Sequence, residues 1–405
     1  MSTMRAAVFH PGNNNLVLEH IPIPKPGPNQ VLLKVAAAGV CHSDTAILTD
    51  VLDDSRTYVL GHENVGYAVE WGHSIPLVNV RHIAKGKLYA IHDLVPHGAH
   101  PLAPGQSPLT DSIGIGENGG FAEYILADSV ELVPVPEGLA PEVAALATDS
   151  LITAYNAVHN VAGDERQLRP GSHGKRVLIY GIGGLGHQAV NSLSTTAPQS
   201  SPSILNLCAR ARDFPRGYEG FPPGELAQLF ATENAGPDRF AVDIVIDFVA
   251  TAQSFQIGQE AVKLSGFSLD GPHGLIVLVG VSGENLTFNQ IALLTFRTNV
   301  LSSLYGSKDD LKACLELLSD QLTMHGRSGC GVPVVAVEPL ENVNQVLDEL
   351  RSMRVTGRKV INPMLAPFSD AARNTFGSTT VPASVSSTAA SDSSSSNELV
   401  AKSRL

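Results

Sequence analysis

Four cysteines in 405 residues are too few for a disulfide scaffold, and that scarcity points to a reducing compartment. Long hydrophobic runs are missing. The longest, such as Leu275–Val281, fall far short of the ~20 residues a membrane span needs, so no membrane association is expected. The opening MSTMRAAVFHPG lacks the apolar core of a secretory signal, and a non-secreted protein is the expectation. Basic charge is in deficit. With 27 Lys and Arg against 39 Asp and Glu, the net charge of −12 argues against a nucleic-acid surface. What is present is a 43% hydrophobic composition, ample for a large buried interior. A chain of this length is too long for one ordinary core, so about two domains are expected.

The first third reads as β-rich. Leu16–Ile21, Gln30–Ala37, Asn64–Glu70, Gly119–Leu126 and Val130–Val135 are short apolar or alternating runs broken by Pro- and Gly-rich turns. Glu142–Val161 carries apolar residues at helical spacing, with Pro141 suited to an early helical position. From Lys175 the rhythm becomes strand, glycine turn, helix, strand. Arg176–Tyr180, Ile204–Cys208, Asp243–Phe248 and Leu275–Val279 are nearly continuous β-favouring runs, as in a parallel sheet covered on both faces. Beyond Ser307 the pattern predicts a helix over Lys308–Ser319, a strand over Val332–Val337, a helix over Leu340–Met353 and a strand over Arg358–Ile361. Residues 369–405 form a Ser/Thr-rich tail whose composition cannot offset ordering entropy, so disorder is expected there.

RVLIYGIGGLGHQAV places Gly181, Gly183 and Gly186, with Gly184 and Leu185 between them, in G-x-G-x-x-G spacing after a strand and at the start of a helix. The first glycine permits a tight turn, the second lets backbone approach a pyrophosphate, and the third lets helix and strand pack closely. The second strand ends without a carboxylate for a ribose 2′-hydroxyl, while Arg210 and Arg212 follow it. That favours NADP over NAD, with either Arg210 or Arg212 placed to meet a 2′-phosphate.

In the β-rich part, Cys41 offers a thiolate and His62 an imidazole, both good zinc ligands. Asp44 and Glu63 stand beside them in sequence, where carboxylates can orient an imidazole or modulate an ion. One Cys and one His twenty-one residues apart do not settle the matter by themselves, since both residue types are often structural.

GVCHSD at 39–44, GHENVG at 61–66, GGFAEY at 119–124, TDSLITAYNA at 148–157, GIGGLG at 181–186 and GRKVINP at 357–363 run in one order over about 1–365. In this the sequence resembles the medium-chain, zinc-dependent alcohol dehydrogenases. The resemblance implies an α/β fold: a Rossmann doubly wound parallel sheet plus a β-rich GroES-like catalytic domain. Residues 1–160, completed by about 307–368, would form the catalytic domain and 161–306 the Rossmann domain. It also implies hydride transfer between NAD(P)(H) and an alcohol/aldehyde or ketone pair, with one catalytic zinc per chain. Cys41 and His62 match the first two zinc ligands and Asp149 the third, which is commonly cysteine. Glu63 matches an alternate zinc-side carboxylate, and Ser43 the hydroxyl that begins a proton relay. His42 and Arg358 match basic residues near the cofactor pyrophosphate, and Thr153 a position on the nicotinamide side. A homodimer or homotetramer is implied.

Three departures stand out. The stretch 80–118, where many relatives hold a structural zinc with four cysteines, contains none. It carries His82, His92, His97 and His100, read as loop residues. Ala46 replaces a histidine that ends the relay in some relatives, and PRGYEGFPPGE interrupts the usual second helix. Two alternatives stay open: a zinc-free enoyl or quinone reductase of the same superfamily, and a non-catalytic nucleotide-binding relative. The terminal Ser403-Arg404-Leu405 resembles a peroxisomal address, so a cytoplasmic or peroxisomal location is expected.

Overall fold

The computed structural model describes residues 2–49, 55–76, 83–92, 111–163, 176–196, 204–207, 218–221, 242–263, 274–324, 335–352, 354–355 and 357–366. Arg210, Arg212, His82, His97, His100 and the tail with Ser403–Leu405 lie outside the described residues.

Two large sheets organise the chain. The first is seven-stranded and mostly antiparallel. Its order runs Leu132–Pro134, Leu88–Ile91, Glu63–Trp71, Gln30–Gly39, Arg358–Asn362, Val335–Pro339, and Tyr124–Asp128 also pairs with Gln30–Gly39. The last two strands return from the far end of the sequence, and Val360 pairs with Gly39. A small sheet of Thr3–Phe9, Val17–Pro22 and Tyr58–Val59 packs beside it, sharing a core with Leu33, Tyr89, Phe121 and Leu347. This is the β-rich body expected from the alternating first third.

The second sheet has six parallel strands in the order Tyr218–Phe221, Ile204–Leu207, Val177–Tyr180, Ile244–Asp247, Gly274–Leu278, Thr298–Ser302. The strands Val177–Tyr180, Ile244–Asp247 and Gly274–Leu278 are apolar on both sides because both faces are covered. Val177, Ile179, Ile246 and Val277 pack with Ala189 and Val190 of the helix Gly184–Thr196. Leu178, Val245 and Ile276 pack on the other face with Phe255, Ala261 and Val262 of the helix Ala252–Lys263. This is the doubly wound dinucleotide fold, with strand order reversing between Val177–Tyr180 and Ile244–Asp247.

Several elements depart from the sequence expectation. No single helix spans 142–161. The segment breaks into Pro141–Ala144, a 3₁₀ turn at Ala145–Ala147, the helix Ser150–Tyr155 and a π-helical turn at Asn156–Val161. The Thr148 hydroxyl donates to Ala145 O and the Ser150 hydroxyl to Leu146 O, and such back-bonding competes with a continuous helix. Asp149 sits at the break, with φ −142° and ψ −64°. Over Gly119–Leu126, regular strand covers Tyr124–Asp128 only, although Gly119, Gly120 and Phe121 still donate backbone bonds to Val59, Gly61 and Leu60. The helix from Lys308 runs on to Met324. The edge strand Tyr218–Phe221, the helix Gln290–Phe296 and the strand Thr298–Ser302 were not legible as elements.

Candidate metal centre and dinucleotide turn

The candidate metal donors come from three elements. Cys41 lies two residues beyond the central strand Gln30–Gly39, at the N-cap of the helix His42–Leu48. Its backbone N–H donates to Asp44 Oδ2 at 2.9 Å. The other oxygen, Asp44 Oδ1, lies 3.2 Å from His62 Nδ1. One fully buried carboxylate thus ties the helix start to the imidazole and leaves His62 Nε2 facing the donor cluster. His62 and Glu63 stand at the start of the strand Glu63–Trp71, after Gly61 in the left-handed region at φ +97°. A Cβ at Gly61 would fall 2.6 Å from the Phe121 ring, so glycine is required on both counts.

Donor atoms of Cys41, His62, Glu63 and Asp149 all lie within 4.8 Å of one another, the first three residues being buried. Tetrahedral zinc with bonds of ~2.0–2.3 Å would hold its donors about 3.3–3.8 Å apart, so the cluster needs little adjustment. The donor chemistry fits as well: a thiolate, an imidazole and two carboxylates. Burial raises the Cys41 thiol, but the Arg358 guanidinium and His62 outweigh it and its pKa lies below the ordinary thiol value. Burial opposes charge on His62, yet Asp44 and Asp149 hold its pKa well above the usual imidazole range. Asp149 is likewise lowered against its burial, chiefly by His62.

Arg358 occupies the centre of this arrangement. It is buried, its Nε donates to Glu63 Oε2 at 3.0 Å, its Nη2 also contacts Glu63, and Nη2 lies 3.3 Å from Asp149 Oδ2. Its other terminal nitrogen, Nη1, would be 2.6 Å from a Cβ placed on Gly184. One side chain therefore touches both the donor carboxylates and the dinucleotide turn. The role of Arg358 as a carboxylate partner was not visible in sequence, because it lies 295 residues from Glu63. The antiparallel pairing of Val360 with Gly39 and Ile361 with Ala38 brings it there.

Thr153 donates its hydroxyl to Asp149 Oδ1 at 3.2 Å and its N–H to Asp149 O, one helical turn away. Ser43 is half-buried, with Oγ 3.8 Å from Cys41 Sγ, and His42 is exposed on the first turn of its helix.

The glycine turn leaves the strand Val177–Tyr180 through Gly181 at φ +88°. A Cβ on Gly186 would lie 2.0 Å from Gly181 O, so the helix can approach the strand this closely only with glycine. A Cβ on Gly183 would meet nothing within 4 Å, which leaves open space where backbone must approach a pyrophosphate. The turn thus fits a dinucleotide. His92 lies in the loop after Leu88–Ile91, with Nε2 2.9 Å from Gly306 O, and takes no part in the donor cluster.

The sequence profile of the alcohol dehydrogenase GroES-like domain matches residues 27–137. D-arabinose 1-dehydrogenase (NADP(+)) of Saccharolobus solfataricus is 26% identical over 381 residues, covering 90% of this chain and 99% of that protein. An alcohol dehydrogenase of Geobacillus stearothermophilus is 27% identical over 370 residues, 88% of this chain and 99% of that one. Among solved structures, acetophenone reductase from Geotrichum candidum in complex with NAD aligns with a TM-score of 0.68 at 26% identity, covering 89% of this chain and 98% of its own. Similarity over nearly the whole length, the profile match and the two-sheet architecture agree with the motifs read in the sequence. Residues 27–137 carry the alcohol dehydrogenase GroES-like domain, and over nearly its whole length the chain is similar to alcohol dehydrogenases.

Proposed function

We propose that this protein is an NAD(P)-dependent alcohol dehydrogenase or carbonyl reductase that uses one catalytic zinc per chain. The observation that carries the reading is the convergence of Cys41, His62, Glu63 and Asp149 beside Arg358, which also borders Gly184 of the dinucleotide turn. A metal site and a nucleotide site that share one guanidinium suit hydride transfer between a metal-polarised substrate and a nicotinamide. A zinc-free reductase or a non-catalytic relative would have no need of that donor set.

In this reading Cys41, His62 and Asp149 hold the metal, with Glu63 as an alternate carboxylate. When bound, zinc supplies Lewis acidity toward the substrate oxygen, and the nicotinamide supplies or accepts the hydride. Asp44 keeps His62 Nδ1 engaged, so Nε2 is the ring nitrogen presented to the metal. Thr153 fixes the Asp149 carboxylate through Oδ1. Arg358 balances the carboxylates not neutralised by the ion. The Ser43 hydroxyl takes the substrate proton in alcohol oxidation and gives up its own to solvent, which its half-buried position permits. With Ala46 in place of a relay histidine, water carries the proton onward. Gly181–Gly186 and the following helix hold the pyrophosphate, with His42 available to its phosphates.

NADP is the preferred nucleotide on the strength of the missing carboxylate after Leu207. A kcat/KM with NADH well above that with NADPH would overturn this. The antiparallel return of Arg358–Asn362 to the first sheet supports a catalytic unit of 1–160 completed by 307–368, clasping 161–306. The substrate is a small alcohol or carbonyl compound. Phe288, Ile291 and Leu294 are exposed near the edge strand Thr298–Ser302, an apolar margin that supports a homodimer or homotetramer. Light scattering that returns the monomer mass at micromolar concentration would count against it. No helix among the described residues is long and apolar enough to cross a membrane. A peroxisomal or cytoplasmic location rests on Ser403-Arg404-Leu405, and comparing tagged full-length protein with a chain lacking Leu405 decides between them. The activity itself is tested by NAD(P)H oxidation with a panel of aldehydes and ketones on zinc-quantified protein, where no turnover of any of them would reject it.

A further inference from the structure

At the point where strand order reverses, Tyr180 pairs with Asp247 on the neighbouring strand. Ligands of doubly wound sheets bind in the crevice that opens there. The glycine turn forms one wall, and the segment 248–250 forms the other. Asp247 is fully buried, and its carboxylate accepts three hydrogen bonds, two from that second wall and one from the helix that follows it. Oδ1 accepts the N–H of Val249 at 2.9 Å and of Ala250 at 2.8 Å. Oδ2 accepts the Ser254 hydroxyl at 2.6 Å.

The wall adopts a conformation the sequence alone does not favour. Ala250 is a non-glycine residue at φ +53°, in the left-handed region that disfavours a Cβ. Its carbonyl accepts the Ser282 hydroxyl at 2.6 Å, and the next turn is closed by Glu284 on Ala252 N at 2.8 Å. Held this way, Val249 lies directly over Gly181. A Cβ on Gly181 would fall 2.5 Å from Val249 Cγ2, and one on Gly186 would fall 3.5 Å from the Phe248 ring. The wall opposite Gly181 thus depends on a strained turn, whose two N–H groups at Val249 and Ala250 are both held by the Asp247 carboxylate, with Ser282 holding the Ala250 carbonyl.

We propose that Asp247 is a positioning residue for the dinucleotide: its carboxylate fixes Val249 and Ala250 so that the wall facing Gly181–Gly186 is preformed. The proposal rests on the nucleotide-binding reading above. It assigns Asp247 no contact with substrate and no role in proton transfer. A preformed wall saves the nucleotide the cost of ordering the turn on binding, so the loss should appear in nucleotide affinity.

The test titrates full-length zinc-loaded protein with NADPH and with NADH, reading nicotinamide fluorescence, beside thermal melting and zinc content. Asp247→Ala weakens binding of the preferred nucleotide about tenfold or more, because it removes acceptors that hold two backbone N–H groups, while zinc content stays at the wild-type value. Asp247→Asn keeps an oxygen for both N–H groups and stays within about threefold of wild type. Glycine adopts positive φ freely, so Ala250→Gly placed in the Asp247→Ala background recovers part of the lost affinity. A merely structural carboxylate would show no such rescue. Should Asp247→Ala fail to melt cooperatively, Val249→Ala at the half-exposed tip of the turn serves instead, with an expected loss of about threefold or more from the missing contact with Gly181. A folded Asp247→Ala protein that binds as wild type, an absent rescue, or a Val249→Ala protein with unchanged affinity overturns the proposal. If wild-type protein binds neither nucleotide, the functional reading fails together with it.

Discussion

Replacing Arg358 with methionine keeps the length of the side chain and deletes its charge. In the folded protein this strands Glu63, which is fully buried, and Asp149, whose side chain is 15% exposed. The guanidinium itself is 3% exposed, so water cannot take its place without the site opening. Breaking a buried ion pair by removing one partner costs about 3–5 kcal/mol, because the surviving charge stays desolvated. For a cooperative unit of about 150–250 residues, each kcal/mol moves Tm by roughly 2–4 °C, so a metal-free variant that melts as such a unit should do so about 6–20 °C below wild type. Zinc gives the same carboxylates another cation, and the gap between variant and wild type should narrow when both proteins are loaded. The assay is calorimetry on chelator-treated and zinc-loaded pairs. A metal-free variant within about 1 kcal/mol of wild type, the range of an exposed ion pair, would refute the claim that Arg358 is the buried counter-charge of this site.

Other perturbations follow from the same geometry. Asp44→Ala frees His62 Nδ1 and the Cys41 N–H together, and it should weaken zinc affinity about 10–100-fold in competition with a chromophoric chelator, as loss of a ligand's supporting hydrogen bonds does elsewhere. Gly186→Ala places a methyl 2.0 Å from Gly181 O, so the helix must back away from the strand; NAD(P)H binding should fall about tenfold or more, read by fluorescence titration, with zinc content unchanged. His92 is held neutral by burial and by the Lys308 charge, against the pull of Gly306 O, so its folded pKa lies below the unfolded value. The stability this gives is complete above about pH 6.5 and is lost as the pH falls through the folded pKa. The Tm of His92→Gln should accordingly decline less than that of wild type between pH 7.5 and 5, and parallel declines would show that His92 does not titrate in this way.

The parts of this protein that could be read from sequence are those whose physics is local. Gly181, Gly183 and Gly186 announce a turn because strand, glycines and helix are contiguous, and Cys41 with Asp44 lies within one helical turn. Asp149 was accessible only through family resemblance. Its neighbourhood looks like one continuous helix, whereas the structure breaks it at Asp149, where the Thr148 and Ser150 hydroxyls turn back on the preceding carbonyls. Arg358 was legible as a basic residue near the cofactor but not as the partner of Glu63, since a contact over 295 residues is set by strand register. Tyr218–Phe221 and Thr298–Ser302 escaped because short edge strands lack the apolar continuity that marked the central four. The hold of Asp247 on Ala250 left no signal either, because φ at an alanine is decided by its neighbours and not by its type.

The central claim is that Cys41, His62 and Asp149 hold a zinc ion on which carbonyl reduction depends. It is tested most directly by metal analysis of wild type and Cys41→Ser, paired with NAD(P)H oxidation over a panel of aldehydes and ketones. The account predicts one zinc per wild-type chain with turnover of at least one carbonyl, and loss of both zinc and turnover in a folded Cys41→Ser protein. A folded variant that has lost its zinc and still reduces the same carbonyl at the wild-type rate would contradict it.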